Sequence, residues 1–388
     1  MHLPKSFSIL LSTLGLIVLA QAAPTTINES FIIPQGHGPF RSSLRIAELV
    51  DKSRVDPYNE THTRRLMISV FSPVPVSECA KTVLIPYMPL VVADFESDIM
   101  HQYGYPEGLW SRFQLEVCAS GASKEEGPQK YPLALFSPGL ETTRHFYSSL
   151  ALEIASYGFT VVTIDHPYDT DIVAFPDGTV IHGGLVIRPG NSNGSTASVE
   201  KALAVRAKDA SFVLDTFGIR DVESAVMFGH SFGGAAAANA LYSDRRLKGG
   251  VNLDGSIWGP VLSAGLNNTS QDFLMFESEG HDTIHDPTWV DFWAALEKDG
   301  GWKRELKIKK SGHGSYWDVN ILVDIAKIRE GLDEVAQSLI GPVLGERVWK
   351  VMGRYLPSFL NFALGRRKED KIFNVPSKEY LEVEIVRK

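Results

Sequence analysis

Hydrophobic positions in this chain fall into two alternating kinds of run. Short, nearly continuous apolar blocks have the length and the β-branched or aromatic content of buried strands. They are Leu133-Ala134-Leu135-Phe136, Thr160-Val161-Val162-Thr163-Ile164, Ala225-Val226-Met227-Phe228, Gly250-Val251-Asn252-Leu253, Phe273-Leu274-Met275-Phe276 and Leu306-Lys307-Ile308. Arg65 to Phe71 precedes them as a first strand, which Ser72-Pro73-Val74-Pro75 is expected to end. Between blocks, apolar residues recur at helical spacing. Phe146, Leu150 and Ile154 mark a helix over about 143–157 with Gly158 as its stop, and a second helix spans about 199–217. This alternation predicts an α/β fold: a mostly parallel, doubly wound sheet covered by helices on both faces.

Three stretches fall outside the pattern. Residues 23–63 are polar, rich in turn residues and weakly periodic, and read as an irregular arm ahead of a catalytic domain spanning 64–388. Residues 168–197 read as a long loop punctuated by Gly183-Gly184, Pro189-Gly190 and Asn193-Gly194. Residues 319–365 are mainly helical, with Ile321, Ile325, Ile328, Leu332, Val335 and Leu339 forming one apolar stripe. The simpler reading packs those helices on the sheet. The sharper one makes them a lid or lipid-contacting element, supported by Leu356-Pro357-Ser358-Phe359-Leu360 ahead of Arg366-Arg367-Lys368.

The amino terminus has the pattern of a secretory signal. Lys5 supplies positive charge, Phe7 to Ala20 is a short apolar core, and Ala20-Gln21-Ala22 fits a cleavage site, so residues 1–22 are expected to be removed. Sequons at Asn28, Asn59, Asn193, Asn267 and Asn268 fit an extracellular, glycosylated protein. In that oxidising setting Cys79 and Cys118, the only cysteines, are expected to pair. A net charge of −8 over 388 residues argues against nucleic acid and against strongly anionic membranes as partners. No metal-ligand spacing stands out, and no cofactor is implied.

The candidate chemistry lies where the third apolar block ends. Gly229-His230-Ser231-Phe232-Gly233 joins that strand to Ala235-Ala236-Ala237-Ala238, the start of a helix. Strand, G-x-S-x-G turn and helix form the context of a nucleophile elbow, with Ser231 as nucleophile. A serine needs a histidine base oriented by a carboxylate, and in this arrangement the chain order is serine, acid, histidine. That order sets aside Asp165, His166 and His230. His313, in Ser311-Gly312-His313-Gly314 after the last strand, is the base expected; His281 and His285 are less favourably placed. For the acid, Asp254 ends the strand just after the elbow helix, while Asp282 and Asp286 follow the strand after that. The Phe232 N–H is positioned to stabilise an oxyanion, and a second donor should come from the loop after Leu133–Phe136, where Pro138 has no N–H.

Ser137-Pro138-Gly139-Leu140, Gly229-His230-Ser231-Phe232-Gly233-Gly234, Leu253-Asp254-Gly255-Ser256-Ile257-Trp258 and the late His313 together resemble the secreted platelet-activating factor acetylhydrolases, over roughly residues 65–330. The resemblance implies an α/β-hydrolase fold. It also implies Asp254 as the acid and the Leu140 backbone as the second oxyanion donor, with hydrolysis of short acyl chains from a phospholipid. Pro138 stands where that family usually has histidine, and Gly314-Ser315-Tyr316-Trp317 differs from the animal pattern. An esterase or cutinase-like enzyme acting on polyesters or small esters is therefore the alternative. From another class, a binding protein with a vestigial site is a third reading.

Overall fold

The apolar blocks become strands whose two faces are both covered. Every residue of Leu133–Ser137, Thr160–Asp165 and Ala225–His230 is buried. The computed structural model describes residues 30–119, 130–220, 225–266, 271–283 and 285–388; the expected signal segment, Asn28, Asn267 and Asn268 lie outside the described residues. In chain order come β1 (Phe31–Ile33), β2 (Phe40–Val55), β3 (Thr63–Pro75), β4 (Thr82–Pro86), α1 (Leu90–Met100), β5 (Phe113–Cys118), β6 (Leu133–Ser137), α2 (Ser148–Ser156) and β7 (Thr160–Asp165). Next are β8 (Ile172–Ala174), β9 (Val180–His182), α3 (Ala197–Thr216), β10 (Ala225–His230), α4 (Phe232–Ser243), β11 (Leu247–Leu253) and α5 (Val261–Ala264). The chain ends with β12 (Asp272–Glu277), α6 (Pro287–Asp299), β13 (Lys303–Ile308), α7 (Val319–Ile325), α8 (Glu334–Ile340), α9 (Gly345–Ala363) and β14 (Val383–Arg387).

Among the described residues the main sheet has nine strands in the order β14-β13-β12-β11-β10-β6-β7-β3-β2. The six from β13 to β7 are parallel, and β14, β3 and β2 extend the two edges antiparallel. Alternate residues of a strand point to opposite faces. Val226 and Phe228 accordingly pack with Leu150, Leu322 and Met352 from α2, α7 and α9. Ala225 and Met227 pack with Leu203, Ala237 and Trp289 from α3, α4 and α6. Strand order reverses between β6 and β10, one running on to β7 and the other to β11. Loops leaving the carboxyl ends of two such strands diverge and open a crevice, which is where doubly wound sheets hold their ligands.

Four expectations are corrected. Residues 23–63 are not an irregular arm where described, because β1 and the sixteen-residue β2 lie within them. β2 is an edge strand with Ile46 and Val50 exposed, so its order comes from backbone pairing with β3 rather than from an apolar face. Pro73 and Pro75 do not end β3. Beyond Phe71 this strand has a neighbour on one side only, where a missing N–H is tolerated. Within the 168–197 loop, β8 and β9 form a short antiparallel hairpin. The stripe is broken up, Ile321 and Ile325 lying in α7, Val335 and Leu339 in α8 and Ile328 and Leu332 between them, with Val335 exposed, and Leu356, Phe359 and Leu360 are fully buried in α9. That burial removes the 356–360 segment as a lipid-contacting surface. Among the described residues no helix is long and apolar enough to cross a membrane.

A smaller three-stranded sheet, β1-β5-β4, carries the Cys79–Cys118 disulfide, whose cysteines are 39 positions apart in sequence. Closing a loop of that length restricts the unfolded chain by about 3–4 kcal/mol in the entropic account. The double variant C79S/C118S is expected to melt several degrees below the parent protein. An unchanged Tm would remove the disulfide from the stabilising contacts.

Candidate active site

Backbone crowding explains the elbow sequence. A Cβ on Gly229 would lie 2.2 Å from Gly233 O, and one on Gly233 would lie 1.9 Å from Ser137 O, so neither position has room for a side chain. The left-handed backbone falls on Ser231 itself, at φ 56° and ψ −124°, between the last residue of β10 and the first of α4. A non-glycine residue there is strained, and the surrounding packing must hold it in place. The Ser231 N–H donates to Leu253 O at 2.8 Å, fixing the turn against β11.

His313 reaches this serine from the loop after β13. Its Nε2 is 3.0 Å from Ser231 Oγ and its Nδ1 is 2.6 Å from Asp254 Oδ2. Asp254 follows β11, is fully buried and has φ 61°, and its own N–H donates to Phe276 O of β12 at 2.8 Å. Ser278 donates to this carboxylate twice, from N at 2.5 Å and from Oγ at 2.8 Å. Burial by itself would push the Asp254 carboxyl up, but hydrogen bonds from His281 and His313 and the positive charge on His281 hold it well below the usual carboxylate range. The other two carboxylates lie elsewhere. Asp282 bonds His285 at 2.7 Å, and Asp286 caps α6 through Thr288 N at 2.9 Å.

The loop after β6 runs beside the serine. A Cβ on Gly139 would come 3.6 Å from Ser231 Cβ. Among the described residues neither the Leu140 N–H nor the Phe232 N–H donates to another group of the chain, so both are free to meet a ligand oxygen. Fully buried Arg206 of α3 holds the loop. It donates to Pro138 O at 2.5 Å, Gly139 O at 3.2 Å and Ser137 Oγ at 3.0 Å, while pairing with Asp169 at 2.6 Å. Asp169 O in turn accepts from Glu141 N at 3.2 Å.

A second set of bonds joins this loop to the histidine. Tyr147 OH accepts from Gly139 N at 3.2 Å and is 2.8 Å from His230 Nδ1, whose other nitrogen is 2.9 Å from His313 O. Burial drives the His230 imidazole down to about 3, so it is neutral, donating from Nε2 and accepting at Nδ1. The bonds of Arg206 to Asp169, of Tyr147 to His230 and of His281 to Asp254 each join residues more than 25 positions apart, so no local pattern announced them. His230 was visible inside the motif, but its partners were not. Removing the Tyr147 hydroxyl takes away two bonds from this set. Y147F is expected to lower kcat about tenfold, equivalent to one hydrogen bond, with KM nearly unchanged. Equal losses in kcat and stability, with KM raised, would contradict a positioning role.

From Leu140 a cleft of about 1020 Å³ runs between α1, α8 and the β9 end of the hairpin. Its apolar walls include Phe95, Ile99, Tyr105, Leu140, Trp317 and Leu339. Arg188 and Glu141, paired at 2.9 Å, stand among its lining residues. Donor atoms of Asp254, His281 and His313 lie within 4.8 Å of one another. Nδ1 of each imidazole faces the carboxylate, at 2.6 Å for His313 and 3.2 Å for His281.

Such a site at the switch point of a mostly parallel sheet makes this chain an α/β-hydrolase. A ferulic acid esterase from Streptomyces cinnamoneus shares the fold, with a TM-score of 0.73 and 24% identity over 92% of this chain and 100% of that one. The family model for platelet-activating factor acetylhydrolase, isoform II, matches residues 109–175 and 206–329. A protein of Arthroderma benhamiae named probable 1-alkyl-2-acetylglycerophosphocholine esterase is 34% identical over 380 residues, 94% of this chain and 96% of its own length. The platelet-activating factor acetylhydrolase of Cavia porcellus is 25% identical over 261 residues, 58% of each chain. The chain belongs to the platelet-activating factor acetylhydrolase family, and it is a carboxylic-ester hydrolase.

Proposed function

We propose that this protein is a secreted serine esterase that removes short acyl groups from glycerophospholipids, an acetyl group at the second position of an ether lipid in particular. The observation that carries the reading is the Ser231–His313–Asp254 relay together with a large, mainly apolar cleft that Leu140 helps to line. His313 Nε2 takes the Ser231 Oγ proton as the oxygen attacks the ester carbonyl. The Leu140 and Phe232 N–H groups hold the tetrahedral oxyanion, where α4 presents the positive end of its dipole. Asp254 keeps the His313 proton on Nδ1 and stabilises the imidazolium. That imidazolium protonates the departing lysolipid alcohol, and water then attacks the acyl-serine with the same base.

The apolar cleft suits an alkyl chain, and the fungal relative's name supports the acetyl ether lipid as substrate. Export is supported by the signal pattern ending at Ala22, the Cys79–Cys118 disulfide and exposed Asn193 in its sequon. The test compares a 2-acetyl ether phospholipid, its long-chain 2-acyl counterpart, a p-nitrophenyl ester and a polyester film. The acetyl phospholipid is expected to have the highest kcat/KM. Faster turnover of the polyester or aryl ester would shift the reading to a general secreted esterase.

A further inference from the structure

A second imidazole occupies the far side of Asp254. His281 places Nδ1 3.2 Å from Asp254 Oδ1 and Nε2 3.0 Å from Asp286 Oδ2. Asp286 is fixed in turn, accepting from Thr288 N at 2.9 Å and Thr288 Oγ1 at 2.6 Å at the start of α6, and the His281 ring packs 5.0 Å from Trp289. A carboxylate at each ring nitrogen requires a proton on each, so the ring is an imidazolium. Burial opposes the charge, but the two carboxylates outweigh it and push its pKa up to about 10.

We infer that His281 is a positioning residue for the base, a fixed cation that locks the Asp254 carboxylate and keeps His313 unprotonated down to lower pH. The inference rests on the relay proposed above. The two imidazole rings are 6.4 Å apart and share one carboxylate, so a proton on His313 is opposed by the charge already on His281. At that separation two like charges in a partly buried site repel one another.

The remaining neighbours do not supply a competing charge. His230, 4.7 Å from His313, is neutral, and Tyr316 is a buried phenol, pushed up by desolvation, whose hydroxyl donates to Glu277 O at 2.8 Å. Glu277 directs its carboxylate to Lys307, at 2.6 Å. Asp282 and His285 bond each other at 2.7 Å within the β12–α6 loop. Asp286 is thus the charge that balances His281. The arrangement gives up some stabilisation of the His313 imidazolium in exchange for a base that stays active in acid.

The experiment is the pH dependence of kcat/KM for p-nitrophenyl acetate, which reports the free enzyme's base. H281Q, which retains a donor toward Asp254 without the charge, is expected to move the acid limb up by about one pH unit. D286N, which removes the balancing negative charge and can still cap α6, is expected to move it down. A limb unmoved in H281Q, whatever happens to kcat, overturns the inference, because a purely structural loss leaves the pKa of the base in place. If H281Q does not fold, D286N decides: a limb below that of the parent supports the cation, and one at or above it overturns the inference. S231A in the same assay separates the two readings. Activity surviving in S231A defeats the relay itself, whereas an inactive S231A beside an unmoved H281Q limb defeats only the role of His281.

Discussion

S231A is expected to lose ester hydrolysis by roughly 10⁴- to 10⁶-fold, on p-nitrophenyl acetate and on the acetyl phospholipid alike. In the mechanism proposed above, removing Oγ removes the atom that forms the acyl-enzyme. His313 Nε2 then has no proton to take at 3.0 Å, while the oxyanion donors proposed at Leu140 and Phe232 are left in place. Binding and oxyanion stabilisation therefore account for whatever rate is left. The fold should tolerate the change. Alanine carries the same φ of 56° penalty that serine already carries at this turn, so S231A should unfold within a few degrees of the parent. A fluorophosphonate should modify the parent at Ser231 and leave the variant unlabelled. Retention of one part in a hundred of the activity by a folded S231A would remove Ser231 as nucleophile.

How far the sequence foretold this site depended on whether the signal was local. The elbow was legible because strand, turn and helix starter are contiguous, and because the glycines answer contacts made within a few residues. His313 was legible because it follows the last parallel strand between two glycines. Asp254 was not separable from Asp282 and Asp286 by pattern, since all three lie in loops that follow a strand after the elbow. The distinction lies in long-range bonds from Ser278 and His313, and family resemblance was needed to favour it. The internal strands were visible because both faces are buried and their residues are uniformly apolar. β2 was missed because an edge strand has little buried side-chain area to write into its sequence. In the tail, helical periodicity was present, but the breaks between α7, α8 and α9 are set by packing. Gly345 illustrates this: a Cβ there would lie 2.3 Å from Ile321 Cα.

The choice among acids yields the second large effect. D254N is expected to lower kcat by about 10³- to 10⁴-fold with a much smaller change in KM, and D282N by less than about twofold. The hydrogen bonds dictate how the new amide must sit. Ser278 N and His281 Nδ1 both donate toward Oδ1, at 2.5 and 3.2 Å, so the amide oxygen takes that position. The amide nitrogen then faces Ser278 Oγ, which can accept, and His313 Nδ1. An N–H directed at Nδ1 forces the histidine proton onto Nε2, where it points at Ser231 and can no longer accept the serine proton. The side-chain shape is kept, so the loss is one of tautomer and charge rather than of packing. Thermal unfolding controls for the change in a fully buried position. Asp282 is bonded to His285 instead, and its neutralisation leaves the Asp254–His313 contact of 2.6 Å untouched. If D282N proved the more damaging of the two, the acid would have to come from the loop after β12, and His313 would need a different partner from the one 2.6 Å away.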